Sequence, residues 1–189
     1  MARRAAGGPP PRAHPPEGRP YPHPAGTLDD AAGEAFDKLA RVMGLGFPGG
    51  PAIDRASESG DPASVRFPRA LSRRRHHFSF SGLKTSVGTF LEKAARRGEL
   101  PSREDVAASV QEAIVDVLVE KTLNAAEDTG VRVIGAGGGV LANRRLRTRL
   151  AEQADRRGLE LYVPSPRLCV DNGAMIGAAA VYRLERGEV

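Results

Sequence analysis

The sequence is poor in cysteine, in aromatic residues and in long apolar runs. Cys169 is the only cysteine, which excludes an internal disulfide and a metal site built from several cysteines. There is no tryptophan, and aromatic residues make up 5% of the chain, as expected for a helix-rich α/β protein whose core is filled by Ala, Val and Leu. No apolar run approaches the ~20 residues of a membrane-spanning helix, and the N-terminus has no apolar segment typical of secretion. These absences favour a cytoplasmic protein with no membrane partner.

The chain carries an excess of basic residues, and its first 26 residues differ in composition from the rest. Lys and Arg number 28 against 23 Asp and Glu, and this excess of basic residues is compatible with a polyanionic partner. Residues 1–26 hold eight of the 15 prolines, four glycines and four arginines. Such a segment cannot bury enough apolar surface to fold. We therefore expect a disordered tail over residues 1–26 and a folded unit over residues 27–189.

The central stretch, residues 131–150, has the pattern of a strand, a glycine loop and a basic helix. Val131, Val133 and Ile134 form a β-branched run typical of a parallel strand buried on both faces. Glycines let a ligand approach the backbone closely, and a helix beginning near Asn143 would point unpaired N–H groups at the same place. The pattern predicts an anion site, and the alternative is a tight turn without a ligand. The loop glycines are Gly135, Gly137, Gly138 and Gly139.

The first predicted helix follows the T-x-x-D capping spacing of Thr27 and Asp30 and ends at Gly44. Its apolar stripe leaves Asp37 and Lys38 outside. Their side chains could face a cleft or water, and periodicity alone favours water. The FPGGP motif that comes next predicts a rigid turn that presents backbone.

Two more helices are predicted farther along the chain. Ser102 and Asp105 have the capping spacing of a long helix that ends at Gly130, with its apolar face in the core. A second strand is predicted over residues 159–163. Asp171 stands where the last helix starts, and its residue type alone favours an N-cap over a metal or substrate ligand. Small residues should let this helix pack closely on the sheet: Gly173, Gly177 and Ala178 to Ala180.

Residues 66–80 allow two interpretations. Five arginines lie between residues 66 and 75, and with Phe78 and Phe80 they resemble a surface that clamps phosphates and stacks on bases. The alternative is a solvated loop that leads into an element whose phenylalanines are in the core. His76 and His77 are adjacent and make a poor chelating pair.

Five motifs together resemble a known family. DDAAGEAFDK, FPGGP, FSFSGLKT, AGGGVLANRRLR and CVDNGAMIG occur in the order found in the TsaD-like proteins, the tRNA N6-adenosine threonylcarbamoyltransferases. The resemblance covers Thr27 to about Gly187. It implies the second lobe of an actin-like, sugar-kinase-like (ASKHA) fold, helix-rich with a small, partly parallel sheet. It also implies transfer of a threonylcarbamoyl group from threonylcarbamoyl-AMP to N6 of adenine 37 in tRNAs reading codons that begin with A.

The resemblance assigns roles to five residues. Asp37, Gly50, Asp54 and Asn143 correspond by motif to contacts with the threonylcarbamoyl-adenylate. Asp171 corresponds to the carboxylate ligand of the family's divalent metal, iron or zinc. The implied partners are tRNA and, in bacteria, a degenerate paralogue and a small ATPase.

The family's first-lobe motifs are not found in this sequence. These are a GIETSCDET-like phosphate loop, an H-x-x-x-H pair of metal ligands and a SGGH-like loop, and His14 and His23 are too far apart to replace the pair. We therefore expect this chain alone to hold no stoichiometric metal and to be inactive. The absence of these motifs predicts a truncation, a frameshift or a wrongly chosen start, with residues 1–26 as spurious translation.

Two alternatives to the transferase remain open. One is a non-catalytic nucleotide- or RNA-binding half-protein that acts with a partner. The other is a dinucleotide-binding oxidoreductase, because Gly137, Gly139 and Ala142 satisfy G-x-G-x-x-A after a strand. The second strand, however, ends without an acidic residue placed for a ribose.

Overall fold

The computed structural model describes residues 26–69 and 76–188. These ranges contain the helices α1 (Ala32–Val42), α2 (Gly49–Ala56), α3 (Ser81–Arg97), α4 (Arg103–Thr129), α5 (Arg144–Arg156) and α6 (Gly173–Glu185), and the strands β1 (Val133–Gly135) and β2 (Glu160–Tyr162). The strands pair in parallel, with Ile134 opposite Leu161. In the described ranges the protein is helix-rich with a small two-stranded parallel sheet. The predicted tail lies outside them, except for its last residue.

The core consists of two apolar clusters joined by α4. The first lies between α1, α2, α3 and the N-terminal half of α4, and the second lies between the C-terminal half of α4, β1 and α5. Leu118 and Val140 pack against both clusters. As predicted, Ser102 caps α4 by accepting the N–H of Asp105 at 3.0 Å, and Gly130 ends the helix with φ of 67°. No helix in these ranges is long and apolar enough to cross a membrane.

The N-terminal helices begin differently from the prediction. The N-cap residue of α1 is Ala31, whose side chain has no polar atom, and the Thr27 hydroxyl donates to the carbonyl of Asp30. The FPGGP motif begins a helix and is not the predicted turn, since α2 starts directly after Pro48. Pro51 is tolerated because it lies in the first turn, where backbone N–H groups have no intrahelical partner.

The last third of the chain corrects three predictions. Val131 and Val133 are exposed and only Ile134 is buried, so β1 is covered on one face and not on two. No residue of α6 is buried, and a Cβ at Gly173 or at Gly177 would meet nothing within 4 Å, so the predicted close packing on the sheet is absent. The cap of α6 is the residue after Asp171: Asn172 Oδ1 accepts the N–H of Met175 at 3.0 Å.

Candidate functional site

A cleft of about 620 Å³ lies between α1, α2, the 3₁₀ turn Gly139–Ala142 and the start of α5. All four residues expected to contact the adenylate line it, although they come from α1, from α2 and from the position before α5: Asp37, Gly50, Asp54 and Asn143. Asp171 is not part of the lining, whereas the preceding residue, Val170, is. The fold therefore brings together residues that are far apart in the sequence.

Asp37 connects α1 to α2 at the wall of the cleft. Its Oδ1 accepts the backbone N–H of Gly49 at 2.7 Å, and the residue is half-buried. The periodicity-based prediction of a solvent-facing side chain is wrong, because this side of α1 faces α2. A carboxylate at the first turn of α2 also interacts favourably with the helix dipole.

Asp54 is held by Arg144, the first residue of α5. The guanidinium Nε of Arg144 donates to Asp54 Oδ2 at 2.7 Å, and its backbone N–H donates to Oδ1 at 3.3 Å. Another guanidinium nitrogen binds Glu58. The hydrogen bonds to Asp54 and Glu58 raise the pKa of Arg144. Sequence reasoning missed Arg144 and Glu58. The available signal was a pair of acidic residues four positions apart, Asp54 on α2 and Glu58 just beyond its end.

Asn143 lies at the inner end of the cleft and is buried. Its Oδ1 caps α5 by accepting the N–H of Leu146 at 2.9 Å, and its amide nitrogen donates to Gln111 on α4 at 2.6 Å. The side chain thus fixes the start of α5 against α4. Since Arg144 follows directly, the same bonds set the position of the Arg144–Asp54 pair.

The chemistry of the cleft is mixed and not simply cationic. Its walls carry three carboxylates and two guanidinium groups: Asp37, Asp54, Glu58, Arg55 and Arg144. Carboxylates accept hydrogen bonds from hydroxyl groups, and apolar side chains provide contacts for a flat ring: Phe36, Val140 and Val170. Gly139 places the end of the glycine loop at the same cleft. A hydroxylated nucleoside with a small phosphate suits this combination better than a highly charged ligand.

The glycine loop does not have the geometry of a dinucleotide fingerprint. That fingerprint opens a helix directly, whereas here the 3₁₀ turn Gly139–Ala142 separates the loop from α5. The oxidoreductase alternative therefore loses its structural basis.

Several arginines of α5 bind carboxylates of α4. Arg145 Nε donates to Glu112 at 2.7 Å, and Arg149 binds Asp116 at 3.0 Å. Burial acts to raise the pKa of Glu112, but the hydrogen bond and charge of Arg145 lower it on balance. Arg69 also binds Asp116, at 2.9 Å. These guanidinium groups hold helices together, which leaves them less available for phosphate.

Of the two interpretations of residues 66–80, the base-stacking surface is wrong for Phe80, and part of that segment lies outside the described residues. Phe80 is 2% exposed in the first cluster, and Phe78 stacks against it with ring centroids 6.5 Å apart. The core interpretation of these phenylalanines is confirmed. Residues 70–75, with most of the arginine run, fall in the gap between the described ranges.

The residues that the structure describes do not supply a metal site. Among them, no three His, Cys, Asp or Glu side chains come together as a ligand set. Asp171 is exposed, and His76 binds Asp128 at 2.7 Å. One carboxylate does not hold a transition metal firmly, so the side chains of this part of the chain do not fit an iron or zinc ion.

Comparison with protein families gives a match over residues 17–178 to the model of TsaD, tRNA N6-adenosine threonylcarbamoyltransferase. A Corynebacterium diphtheriae protein of that name is 50% identical over 177 residues, covering 90% of this chain and 51% of the relative. A Magnetococcus marinus protein of the same name is 55% identical over 163 residues, covering 86% of this chain and 46% of the relative. The chain spans about half the length of the curated relatives it matches.

Among solved structures, the chain is similar to full-length HypF, crystallised in a phosphate- and nucleotide-bound form. The TM-score is 0.58 at 19% identity, over 79% of this chain and 20% of that one. At this identity the similarity concerns the fold.

Proposed function

The chain belongs to the TsaD family of tRNA N6-adenosine threonylcarbamoyltransferases, and we propose that it provides one wall of that enzyme's adenylate site. In the complete site, the carbamoyl carbon of threonylcarbamoyl-AMP would bond to N6 of adenine 37 of a tRNA. The bond from that carbon to the phosphate oxygen would break, N6 would lose a proton, and AMP would leave. The family match over residues 17–178 supports the assignment.

The cleft carries this proposal. Asp37, Gly50, Asp54 and Asn143 were assigned to the adenylate by motif, and all four line one cleft of about 620 Å³. A volume of a few hundred cubic ångströms is typical of small-molecule sites. Asp54, positioned by Arg144, would accept hydrogen bonds from ribose hydroxyls, and the loop at Gly139 would face the phosphate.

We infer that the fold is the second lobe of an actin-like, sugar-kinase-like architecture. The two-stranded parallel sheet and the similarity to nucleotide-bound HypF support this inference. In such a two-lobed protein the nucleotide lies between the lobes. The other lobe would then cover the open side of the cleft. Asp171, next to Val170 of the cleft lining, would then contribute one ligand to an iron or zinc ion whose other ligands the described residues do not supply.

The proposal also covers the substrate, the cellular location and the partner proteins. Family membership supports tRNA as substrate and a cytoplasmic place of action, and we propose a degenerate paralogue and a small ATPase as partners in bacteria. The nucleotide-binding half-protein remains the second candidate, because the cleft alone contains the groups that a nucleotide would contact.

A cavity-filling substitution tests the site. AMP, the leaving group of the proposed reaction, is titrated into the ¹⁵N-labelled chain and backbone amide shifts are followed. We expect saturable shifts confined to α1, α2, residues 139–144 and Val170. Gly50→Leu should weaken AMP binding at least about tenfold, because its side chain would occupy the cleft, where a Cβ at Gly50 meets nothing within 4 Å.

Gly88→Leu is the matched control. Gly88 also lies within a helix, α3, and a Cβ there likewise meets nothing within 4 Å, but the residue is not part of the cleft. Because Gly50 precedes Pro51, which disfavours a helical residue with a Cβ, Gly50→Leu is used only if its amide shifts outside α2 match those of the unsubstituted chain. Equal AMP affinity in the two variants, or shifts centred away from the cleft, would refute the proposed site. AMP binding without transfer after addition of the complementary half would favour the second candidate.

A further inference from the structure

Gln111 is a buried polar residue on α4 to which the proposed function assigns no role. Its side chain is 6% exposed, and the nearby Val110 and Ile114 are fully buried in the first cluster. Buried polar groups of proteins are hydrogen-bonded, because an unpaired one costs free energy. The amide oxygen of Gln111 accepts a hydrogen bond from the side-chain nitrogen of Asn143 at 2.6 Å. Gln111 is therefore connected to one of the residues that line the cleft.

The cap of α5 fixes which way the Asn143 amide points. Its Oδ1 accepts the N–H of Leu146 at 2.9 Å, and a backbone N–H can only donate, so the oxygen must lie on this side. Nδ2 therefore faces α4, where Gln111 supplies Oε1 as the acceptor. Rotating the Asn143 amide by about 180° would set two donors against each other on one side and two acceptors on the other.

The amide nitrogen of Asn143 carries two hydrogens, and the protein uses one of them. Among the described residues, Gln111 is the one acceptor that Nδ2 binds. Because Asn143 also lines the cleft, its second N–H is available to a ligand there. The ligand atom that meets this N–H must be an acceptor, such as a phosphate oxygen, a carbonyl oxygen or a ring nitrogen.

The residue after Gln111 strengthens the same contact between α4 and α5. Glu112 binds Arg145 through both carboxylate oxygens, at 2.7 and 2.8 Å. Such bidentate pairs add geometric specificity to their energy. Two consecutive residues of α4 thus hold Asn143 and Arg145, which keeps the start of α5 from sliding or turning against α4. Gln111 is therefore a rigid support for the Asn143 amide.

We propose that Gln111 is a positioning residue of the adenylate cleft. It is not part of the cleft lining, and it holds the Asn143 amide so that one N–H is presented to an acceptor atom of the nucleotide. This inference rests on the proposed function, because it needs a nucleotide in the cleft. A donor that is fixed before binding loses less conformational entropy when the ligand arrives. Loss of the Gln111 acceptor should therefore weaken nucleotide binding.

Two substitutions in the full chain, with AMP as the probe, test this role. Gln111→Met keeps an unbranched side chain of similar length but offers only a weak acceptor, whereas Gln111→Glu keeps an oxygen acceptor. We expect Gln111→Met to weaken AMP binding at least about fivefold. Gln111→Glu should restore the affinity to within about twofold of the unsubstituted chain.

The side-chain NH₂ signals of Asn143 in ¹⁵N spectra give a direct readout of the amide orientation. In the unsubstituted chain, the proton bound to Gln111 should lie downfield of its partner, and AMP should move mainly the other proton. Gln111→Met should remove the downfield shift, and Gln111→Glu should preserve it. A general loss of stability would not produce this pattern.

Ser109→Ala is the matched control. Ser109 is also a buried polar residue of α4, 0% exposed, but its hydroxyl accepts the N–H of Val65 at 3.1 Å and does not bind Asn143. Its replacement should lower the thermal midpoint, as that of Gln111 should. It should leave the AMP affinity and the Asn143 side-chain signals unchanged.

Four results would overturn the positioning role of Gln111. They are equal AMP affinity of Gln111→Met and the unsubstituted chain, an equal loss of affinity in Ser109→Ala, no recovery in Gln111→Glu, and Asn143 side-chain signals that AMP does not move. Binding of AMP at the cleft together with any of these results would remove this inference alone. If the unsubstituted chain does not bind AMP, the adenylate site is removed and this inference with it.

Discussion

Asp29 accepts four hydrogen bonds from three consecutive residues at the start of α3. The donors are the hydroxyls of Ser79 and Ser81 and the backbone N–H groups of Phe80 and Ser81. Burial acts to raise the pKa of Asp29, but these bonds together lower it to about 2. The carboxylate thus ties the segment before α1 to the beginning of α3.

Replacing this carboxylate should produce a pH-dependent loss of stability. Asp29→Asn should lower the free energy of unfolding by about 1 kcal/mol at pH 7, comparable to loss of a helix cap. Because the folded pKa is below the unfolded value of about 3.9, the stabilisation is fully present above pH 4 and is lost as pH falls through about 2. Urea denaturation of both proteins should therefore give curves that converge near pH 2. Glu92→Gln, an exposed carboxylate on α3, is the control, and an equal effect there would contradict the assignment.

The polar residues of the cleft show what a sequence predicts about single side chains. Motif resemblance selected Asp37, Gly50, Asp54 and Asn143, and the structure places all four at one cleft. Periodicity alone failed for Asp37, since an apolar stripe marks the core but does not tell whether the opposite side faces water or another helix. Arg144 was missed because its role depends on Asp54, 90 positions earlier in the chain.

The contact between α1 and α2 predicts unequal outcomes for two adjacent glycines. A Cβ at Gly49 would lie 2.5 Å from Cα of Asp37 and 2.6 Å from the carbonyl oxygen of Phe36, whereas a Cβ at Gly50 would meet nothing within 4 Å. Gly49→Ala should destabilise the protein by about 1–3 kcal/mol through overpacking against backbone atoms. Gly50→Ala should cost less, because its Cβ meets no atom beyond its chain neighbours, and the remaining cost comes from placing a Cβ on a helical residue directly before Pro51. Thermal denaturation compares the two, and equal midpoints would show that the helices move apart at no cost.

Helix boundaries were predictable where the signal is local. Ser102 and Gly130 delimit α4 as expected, because a cap and a left-handed glycine act within one turn of the helix. The α2 prediction failed because prolines and glycines permit either a turn or a first helical turn, and the contact of Gly49 with Asp37 favours the helix. The small residues of α6 likewise indicated close packing, but they carry no information about which surface provides it.

The whole described chain divides into two clusters of unequal size. Among the described residues, the first cluster contains 16 buried residues and the second contains nine. In the second, β1 contributes one buried residue, Ile134, and Leu161 of β2 packs against the cluster. The exposed apolar residues of α6 follow the second cluster in sequence. The sequence pattern predicted that α4 has an apolar face in the core. It did not show that the N-terminal half of this face packs in one cluster and the C-terminal half in another, because an apolar pattern marks buried positions without identifying their partners.

This asymmetry predicts that the second cluster opens before the first. Leu150 is 3% exposed in the second cluster. Leu150→Ala should therefore lower the free energy of opening this cluster by about 2–5 kcal/mol. Native-state hydrogen exchange should then accelerate at least about tenfold in β1, β2 and α5, since 1.4 kcal/mol corresponds to a factor of ten. Amides of α1 should exchange as in the wild type. The matched variant in the first cluster is Leu39→Ala on α1, which should accelerate exchange in both clusters because the smaller cluster depends on the larger one. Uniform acceleration by Leu150→Ala would mean instead that the contacts of Leu118 and Val140 make the two clusters unfold as one unit.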